Sequence, residues 1–135
     1  MSYPIADLKT IGPNVAASFK SAGIRSTARL LEVAKDPRGR KALAAKTGLD
    51  EKCILRSANM ADRMRIKGVG WEYAQLLHAA GVKTATELSF RNPQRLVSGM
   101  VEANTKRKLV RLLPSVTRVT RWIEAAKKLQ PVIRY

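Results

Sequence analysis

Residues 8–22 read LKTIGPNVAASFKSA and residues 66–80 read IKGVGWEYAQLLHAA, so one pattern occurs twice in the chain. Each copy has an apolar, a polar, a small and an apolar residue before Gly12 or Gly70, and helix-forming residues follow. A glycine turn that leads into a helix N-terminus directs backbone N–H groups outward, and this geometry binds phosphate. The sequence therefore predicts two anion-binding turns, the first glycine turn (residues 8–12) and the second glycine turn (residues 66–70).

The composition indicates a folded and strongly basic protein. The 135 residues are 45% hydrophobic, which is enough for one ordinary core or two small ones. Lys and Arg number 26 against 10 Asp and Glu, so the formal net charge is +16. An excess of this size favours a polyanionic partner such as DNA, RNA or an anionic membrane surface. Of these we expect nucleic acid, most of all duplex DNA, and no membrane partner. A surface that is charged only for solubility is the alternative.

The sequence argues against membrane insertion and against metal chemistry. No stretch approaches the roughly 20 apolar residues of a membrane span, and the first ten residues, MSYPIADLKT, lack the features of a signal peptide. We therefore expect a cytoplasmic protein, associated with the nucleoid if it is bacterial. A single cysteine, Cys53, and a single histidine, His78, allow no internal disulfide and no His–Cys zinc cluster, so we expect no metal and no cofactor.

The repeat continues into the helices beyond each turn. Gly23 and Gly81 stand where the first helix of each copy should end, and an apolar residue follows each, as in a left-handed C-terminal cap. Further helices are predicted from N-cap residues at Ser26 and Thr84, at Asp36 and Asn92 before proline, at Asp50, at Asn104 or Thr105, and at Ser115. The last of these helices has an apolar face that includes Trp122.

No segment shows sustained alternation of apolar and polar residues, so the sequence predicts an all-α fold of about nine or ten short helices. The repeat predicts a first unit over residues 1–60 and a second over residues 61–135, which includes the extra C-terminal helix. We expect the two units to be related by a pseudo-twofold and packed as one compact domain.

The turns resemble the helix-hairpin-helix motif, in which an apolar-x-Gly-apolar-Gly turn joins two helices. Residues 66–70, IKGVG, match it fully, and residues 8–12, LKTIG, match it except at Thr10. Over nearly its whole length the chain is similar to an uncharacterised bacterial domain family built from two such repeats. That resemblance implies a tandem helix-hairpin-helix fold and no established activity.

The helix-hairpin-helix resemblance implies binding of double-stranded DNA without sequence specificity. In such modules hairpin amides meet phosphate oxygens across the minor groove, and phosphate contacts position a protein without reading bases. The DNA-binding residues expected here are Lys9, Thr10, Ile11, Gly12, Arg63, Arg65, Lys67, Gly68, Val69, Gly70, Lys106, Arg107, Lys108 and Arg111.

Two departures from the motif affect the hairpins differently. Thr10 replaces the first glycine, so a first turn that needed a positive φ there would be strained or differently shaped. Glu72 occupies the position where DNA-binding versions commonly have lysine, and a carboxylate at a helix N-terminus repels phosphate. The second hairpin could therefore serve as a structural or protein-binding element.

The basic residues are distributed unevenly. Residues 68–104 hold three basic and three acidic side chains, whereas residues 105–135 hold nine basic residues against Glu124 alone. If about six phosphates are engaged, the slope of log K against log salt would be about −5, at roughly −0.9 per contact. The neutral second hairpin also suits a protein-interaction adaptor, and RNA or ribosome association is a further alternative because amides do not distinguish the sugar.

Other functional classes receive less support. The sequence offers no paired acid and base, and His78 lies among apolar residues of a helix, so we expect a partly exposed side chain and no enzyme activity. Aromatic residues fall at helical apolar spacings, which favours core packing over base stacking on single strands. The aromatic side chains predicted to pack in this way are Phe19, Trp71, Tyr73, Phe90 and Trp122.

Overall fold

A computed structural model of the chain describes residues 2–135. Those residues form eight α-helices and no strand, and one antiparallel bridge joins Pro4 to Ser26. The helices are α1 (Pro13–Ser21), α2 (Thr27–Ala34), α3 (Pro37–Thr47), α4 (Glu51–Arg63), α5 (Trp71–Ala79), α6 (Ala85–Ser89), α7 (Pro93–Arg107) and α8 (Val116–Lys127). Two short 3-10 helices, Ile5–Asp7 and Lys9–Ile11, precede α1. The all-α prediction is confirmed, with eight α-helices where the sequence predicts nine or ten.

The chain divides into two compact units. The first runs to Asp62 and includes the tail Val132–Tyr135, and the second is Arg63–Pro131. Arg134 holds the tail in the first unit, because its N–H donates to the Lys35 carbonyl and its carbonyl accepts from the Arg40 guanidinium, both at 2.7 Å. No pattern in the sequence predicted this return of the tail.

The helix starts follow the predicted N-caps. Ser26, Asp36, Thr84, Asn92 and Ser115 each accept a hydrogen bond from the backbone N–H three residues later. Asp50 accepts from the N–H of Lys52 at 2.8 Å and so caps α4. Such caps satisfy N–H groups that have no partner inside the helix, and each stabilises the fold by about 1 kcal/mol.

The ends of α1 and α5 confirm the left-handed caps. Gly23 has φ +84° and Gly81 has φ +94°. In both copies the glycine N–H and the following N–H reach back to carbonyls of the last helical turn, as Ile24 does to Phe19 at 2.8 Å and Val82 does to Leu77 at 2.9 Å. The two helices therefore end in the same way.

Each unit has its own apolar core. The first buries Phe19 of α1 with apolar residues of α2, α3 and α4, including Leu30, Leu43 and Ile54. In the second, α8 packs against α6 and α7, and α5 packs against α7. Trp122 and Ile123 of α8 are buried there, so the apolar face predicted for the last helix faces the core of the second unit.

The helix predicted to begin at Asn104 or Thr105 is absent. Helix α7 continues through Arg107 and ends at Lys108, which has φ +52°. The Asn104 amide does not start a helix; it donates to the Val110 carbonyl at 3.1 Å and accepts from the Val110 N–H at 3.0 Å. The amide thus holds the chain after α7 in a non-helical path, which we call the basic loop (residues 108–115).

The core position predicted for Phe90 is also wrong, since Phe90 is 85% exposed. Helix α6 ends at Ser89, so Phe90 lies just beyond it and outside the apolar face of the helix. Phe19 and Trp122 are buried as predicted, while Trp71 and Tyr73 are half-buried.

Candidate functional site

The first glycine turn has Thr10 in a 3-10 helix and Gly12 at its end. Gly12 has φ +84° and ψ 159°, a conformation that is essentially restricted to glycine. The Ile11 N–H donates to the Leu8 carbonyl at 3.2 Å, and the Thr10 hydroxyl contacts the Met60 sulfur at 3.4 Å. Lys9 is exposed beside them.

The second glycine turn has a different backbone. Gly68 takes the positive φ, at +91°, whereas Gly70 has φ −86° and ψ −171°. Val69 is buried, and its N–H donates to the Ile66 carbonyl at 3.0 Å. Gly68 lies so close to α8 that a Cβ atom there would stand 3.3 Å from the Trp122 indole nitrogen.

The two turns therefore differ in shape as the Thr10 departure predicts. Thr10 has no positive φ, so the positive φ falls at the second glycine position in the first turn and at the first in the second turn. The amides of Ile11 and Val69 are engaged within the chain, and this removes one predicted phosphate donor from each turn.

The helices that follow the two turns share a feature that distinguishes them from the others in residues 2–135. Helix α1 begins after Gly12 and α5 begins after Gly70, and neither has a side-chain cap. Side chains cap the other six helices. The N-terminal amides of α1 and α5 thus receive no side-chain cap, although Pro13 at the start of α1 has no N–H and the Glu72 carboxylate lies in the first turn of α5.

Among the predicted basic residues, Arg63 is buried at 4% exposure. Its Nε donates to the Ala74 carbonyl and its Nη1 to the Lys83 carbonyl, both at 2.8 Å. This guanidinium ties α5 and the segment after it to the end of α4. It is therefore held as an internal structural group and has little surface to offer a phosphate.

The basic residues next to the second glycine turn are more accessible. Lys67 is exposed, and half-buried Arg65 donates to the Gln130 carbonyl at 3.1 Å. On the exposed end of α7, Lys106 and Arg107 line an open cleft of about 340 Å³ against the end of α5. Lys106 also pairs with Glu102 of the same helix at 3.5 Å.

The basic loop holds the remaining predicted side chains. Lys108 and Arg111 are both exposed. The loop is fastened to α5 because the Tyr73 hydroxyl donates to the Leu112 carbonyl at 3.0 Å. Lys108 and Arg111 thus project from a segment with fixed attachments at both Val110 and Leu112.

Arg118 was not among the DNA-binding residues predicted from the sequence, yet it contacts α5, the helix that follows the second glycine turn. Its guanidinium carbon is 5.4 Å from the centre of the Tyr73 ring, and its Nη1 donates to the Tyr73 hydroxyl at 3.3 Å. Tyr73 in turn packs against Trp122, with ring centres 5.2 Å apart. Helix α8 therefore supplies positive charge beside α5, which lies in the segment 68–104 where basic and acidic side chains balance. The excess of basic residues in and before α8 was the one sequence signal for a contribution of positive charge from this helix.

His78 is an exposed residue of α5, as predicted. Partial burial lowers its pKa below the ordinary 6.5, and the positive charges of Arg63, Arg107 and Lys83 lower it further. Burial is thus the larger cause of the lowered pKa, and the three cations add to it.

Two features are absent from the part of the chain that the structure describes. Within residues 2–135, no three His, Cys, Asp or Glu side chains are grouped so that they could hold a metal ion. In the same range, no helix combines the length and apolar character needed to cross a bilayer.

Residues 9–129 match the family described as Domain of unknown function (DUF4332). The chain belongs to the DUF4332 family. No curated protein and no solved structure matches the chain. The description of DUF4332 assigns no activity, so the uncapped helices and exposed cations of this DUF4332 member are the basis for a functional proposal.

Proposed function

We propose that this chain is a tandem helix-hairpin-helix protein that binds double-stranded DNA without sequence specificity. The observation that carries the proposal is the absence of a side-chain cap on α1 and α5 alone, the two helices that begin at the glycine turns. Uncapped N-terminal amides together with the helix dipole form an anion site, and a chain of net charge +16 favours a polyanion as its occupant.

The contacts proposed for the first hairpin are the exposed Lys9 and the amides at the start of α1. For the second hairpin they are Lys67 and the amides at the start of α5. Glu72 lies in the first turn of α5 and opposes phosphate there, while Arg118 brings an opposite charge to the same helix. The second hairpin therefore depends on α8 for its attraction to DNA.

The exposed cations of the second unit extend the proposed interface. Phosphate contacts from flexible basic side chains add affinity without adding base preference. Arg63 is omitted, because its guanidinium is buried and bonded to carbonyls. The side chains proposed to contact phosphate are Arg65, Lys106, Arg107, Lys108, Arg111 and Arg118.

Fluorescence anisotropy with labelled duplex DNA, single-stranded DNA and duplex RNA at several salt concentrations tests the proposal. We expect similar affinity for duplexes of unrelated sequence and a slope of log K against log salt of about −5, for about six phosphates. Tighter binding of RNA than of DNA would move the function to RNA, and no binding of any nucleic acid at low salt would refute the proposal.

Charge-matched variants locate the interface. Lys67→Gln with Arg111→Gln removes two exposed charges at the proposed surface and should reduce the salt slope by about 2. Lys127→Gln with Lys128→Gln removes two charges at the opposite end of α8 from Arg118 and should leave the slope nearly unchanged. An equal reduction of the salt slope in both double variants would mean that binding depends on total charge and not on the proposed surface.

A protein-interaction adaptor is the second candidate, and Phe90 favours it. An aromatic side chain that is 85% exposed is a typical anchor for a protein partner. A defined protein complex that Phe90→Ala abolishes, found together with no duplex binding, would establish the adaptor and exclude the DNA-binding role.

A further inference from the structure

The basic loop exposes a large apolar side chain. Leu112 is 71% exposed, whereas the other apolar residues of the loop, Leu109, Val110, Leu113 and Pro114, are half-buried or buried. Exposed leucine on a loop loses the hydrophobic stabilisation that burial would supply. Single exposed leucines are common on protein surfaces, so the informative question is whether the backbone holds Leu112 outward.

The backbone around Leu112 is fixed. The Asn104 amide exchanges two hydrogen bonds with Val110, at 3.0 and 3.1 Å, and the Tyr73 hydroxyl holds the Leu112 carbonyl at 3.0 Å. Pro114, two residues later, is buried. Leu112 is thus presented outward by a loop that is attached before it, at it and after it.

Positive charge surrounds this leucine. Lys108 and Arg111 are exposed on the same loop, and Arg118 shares the Tyr73 hydroxyl with the Leu112 carbonyl. An apolar tip among cations is complementary to a duplex groove, where phosphates border a stack of apolar base faces. Architectural proteins insert leucine between base steps in the minor groove while basic side chains contact the backbone.

We propose that Leu112 is a wedge that enters the minor groove, partly unstacks one base step and bends the duplex; this inference rests on the proposed DNA-binding function. An anionic membrane is a poorer occupant, because surface binding to lipid needs the broad apolar face of an amphipathic helix. Leu112 offers one side chain on a loop. Phe90 is also strongly exposed, but it precedes Arg91, whose guanidinium is turned onto the Gly81 carbonyl at 2.8 Å.

Energy transfer between dyes at the two ends of a duplex of about 30 base pairs measures the bend. The full chain should increase the transfer, consistent with a bend of about 20–90°, and should brighten a 2-aminopurine placed in the duplex. Leu112→Ala and Leu112→Gln should lose both signals while keeping the salt slope of the unmodified chain. Phe90→Ala, the matched control, should retain both signals. Circular dichroism establishes that each variant is folded.

The outcomes separate the wedge from the DNA-binding role. Duplex binding without a change in transfer, or equal bending by Leu112→Ala, overturns the wedge and leaves DNA binding in place. No duplex binding by the unmodified chain overturns both. Binding of phosphatidylserine vesicles that Leu112→Ala abolishes, together with unchanged duplex bending by that variant, assigns the leucine to a lipid surface and also overturns the wedge.

Discussion

The Tyr73 hydroxyl and the Arg118 guanidinium meet at 3.3 Å, with the guanidinium carbon 5.4 Å from the centre of the ring. The same hydroxyl donates to the Leu112 carbonyl. One phenol oxygen in the first turn of α5 therefore joins the second glycine turn's helix to the basic loop and to the start of α8. This oxygen is one attachment of the loop, and the two Asn104–Val110 hydrogen bonds are the others.

Removing that oxygen should loosen the basic loop. Tyr73→Phe keeps the ring against Trp122 and loses two hydrogen bonds, so we expect a loss of about 1 kcal/mol in the free energy of unfolding. Hydrogen exchange at residues 110–113 should become faster, as measured by mass spectrometry. Exchange at residues 48–50 of the first unit is the internal control, and uniform acceleration at both places would contradict a local role for the hydroxyl.

Arg63 should matter for stability. Arg63→Met removes buried donors from two carbonyls, which should cost about 3 kcal/mol in urea unfolding, since hydrogen bonds to charged groups are strong when buried. Arg95→Met on the exposed side of α7 is the control and should change stability by less than about 0.5 kcal/mol. Equal effects of the two variants would mean that the Arg63 bonds contribute little.

Much of the fold could be predicted because helix ends obey local rules. An N-cap is recognised from about four consecutive residues, because a serine or asparagine there precedes a proline or an apolar helix face. Ser26, Asn92 and Ser115 act as predicted. Asn104 was misassigned since an amide can serve a helix start or a loop equally well. The Asn104 side chain bonds to the Val110 backbone because the chain after α7 passes beside it, and no local pattern predicts that path.

The candidate site was less predictable, because the density of basic residues along the sequence does not tell which side chains face solvent and which face the core. Arg63 stands in the same basic segment as Lys67, yet one is buried and the other is exposed. Tyr73 and Arg118 are 45 residues apart, and no local pattern brings them together. Packing of α8 in the second unit decides which cations lie beside α5.

The glycine turns offer a matched pair of substitutions. A methyl group added at Gly12 or at Gly70 would meet no atom within 4 Å, so crowding is equal and only the backbone differs. Gly12→Ala forces φ +84° and ψ 159° on alanine and should destabilise by about 1–3 kcal/mol. Gly70→Ala, at φ −86°, should be within about 0.5 kcal/mol of the unmodified chain. Thermal and urea unfolding test both, and similar losses would contradict the distinction between the two turns.

His78 should make the protein less stable in mild acid. Its pKa is lowered in the folded chain by partial burial and then by Arg63, Arg107 and Lys83, so the unfolded chain binds the proton first as the pH falls. Stability is therefore unaffected above the unfolded pKa, declines as the pH falls through it, and reaches its full loss below the folded pKa. His78→Gln should remove this part of the decline in urea unfolding between about pH 8 and pH 5.

Because the chain has one histidine, a single imidazole NMR signal reports the folded pKa directly. A pKa above the ordinary value would show that the neighbouring cations do not act on this ring.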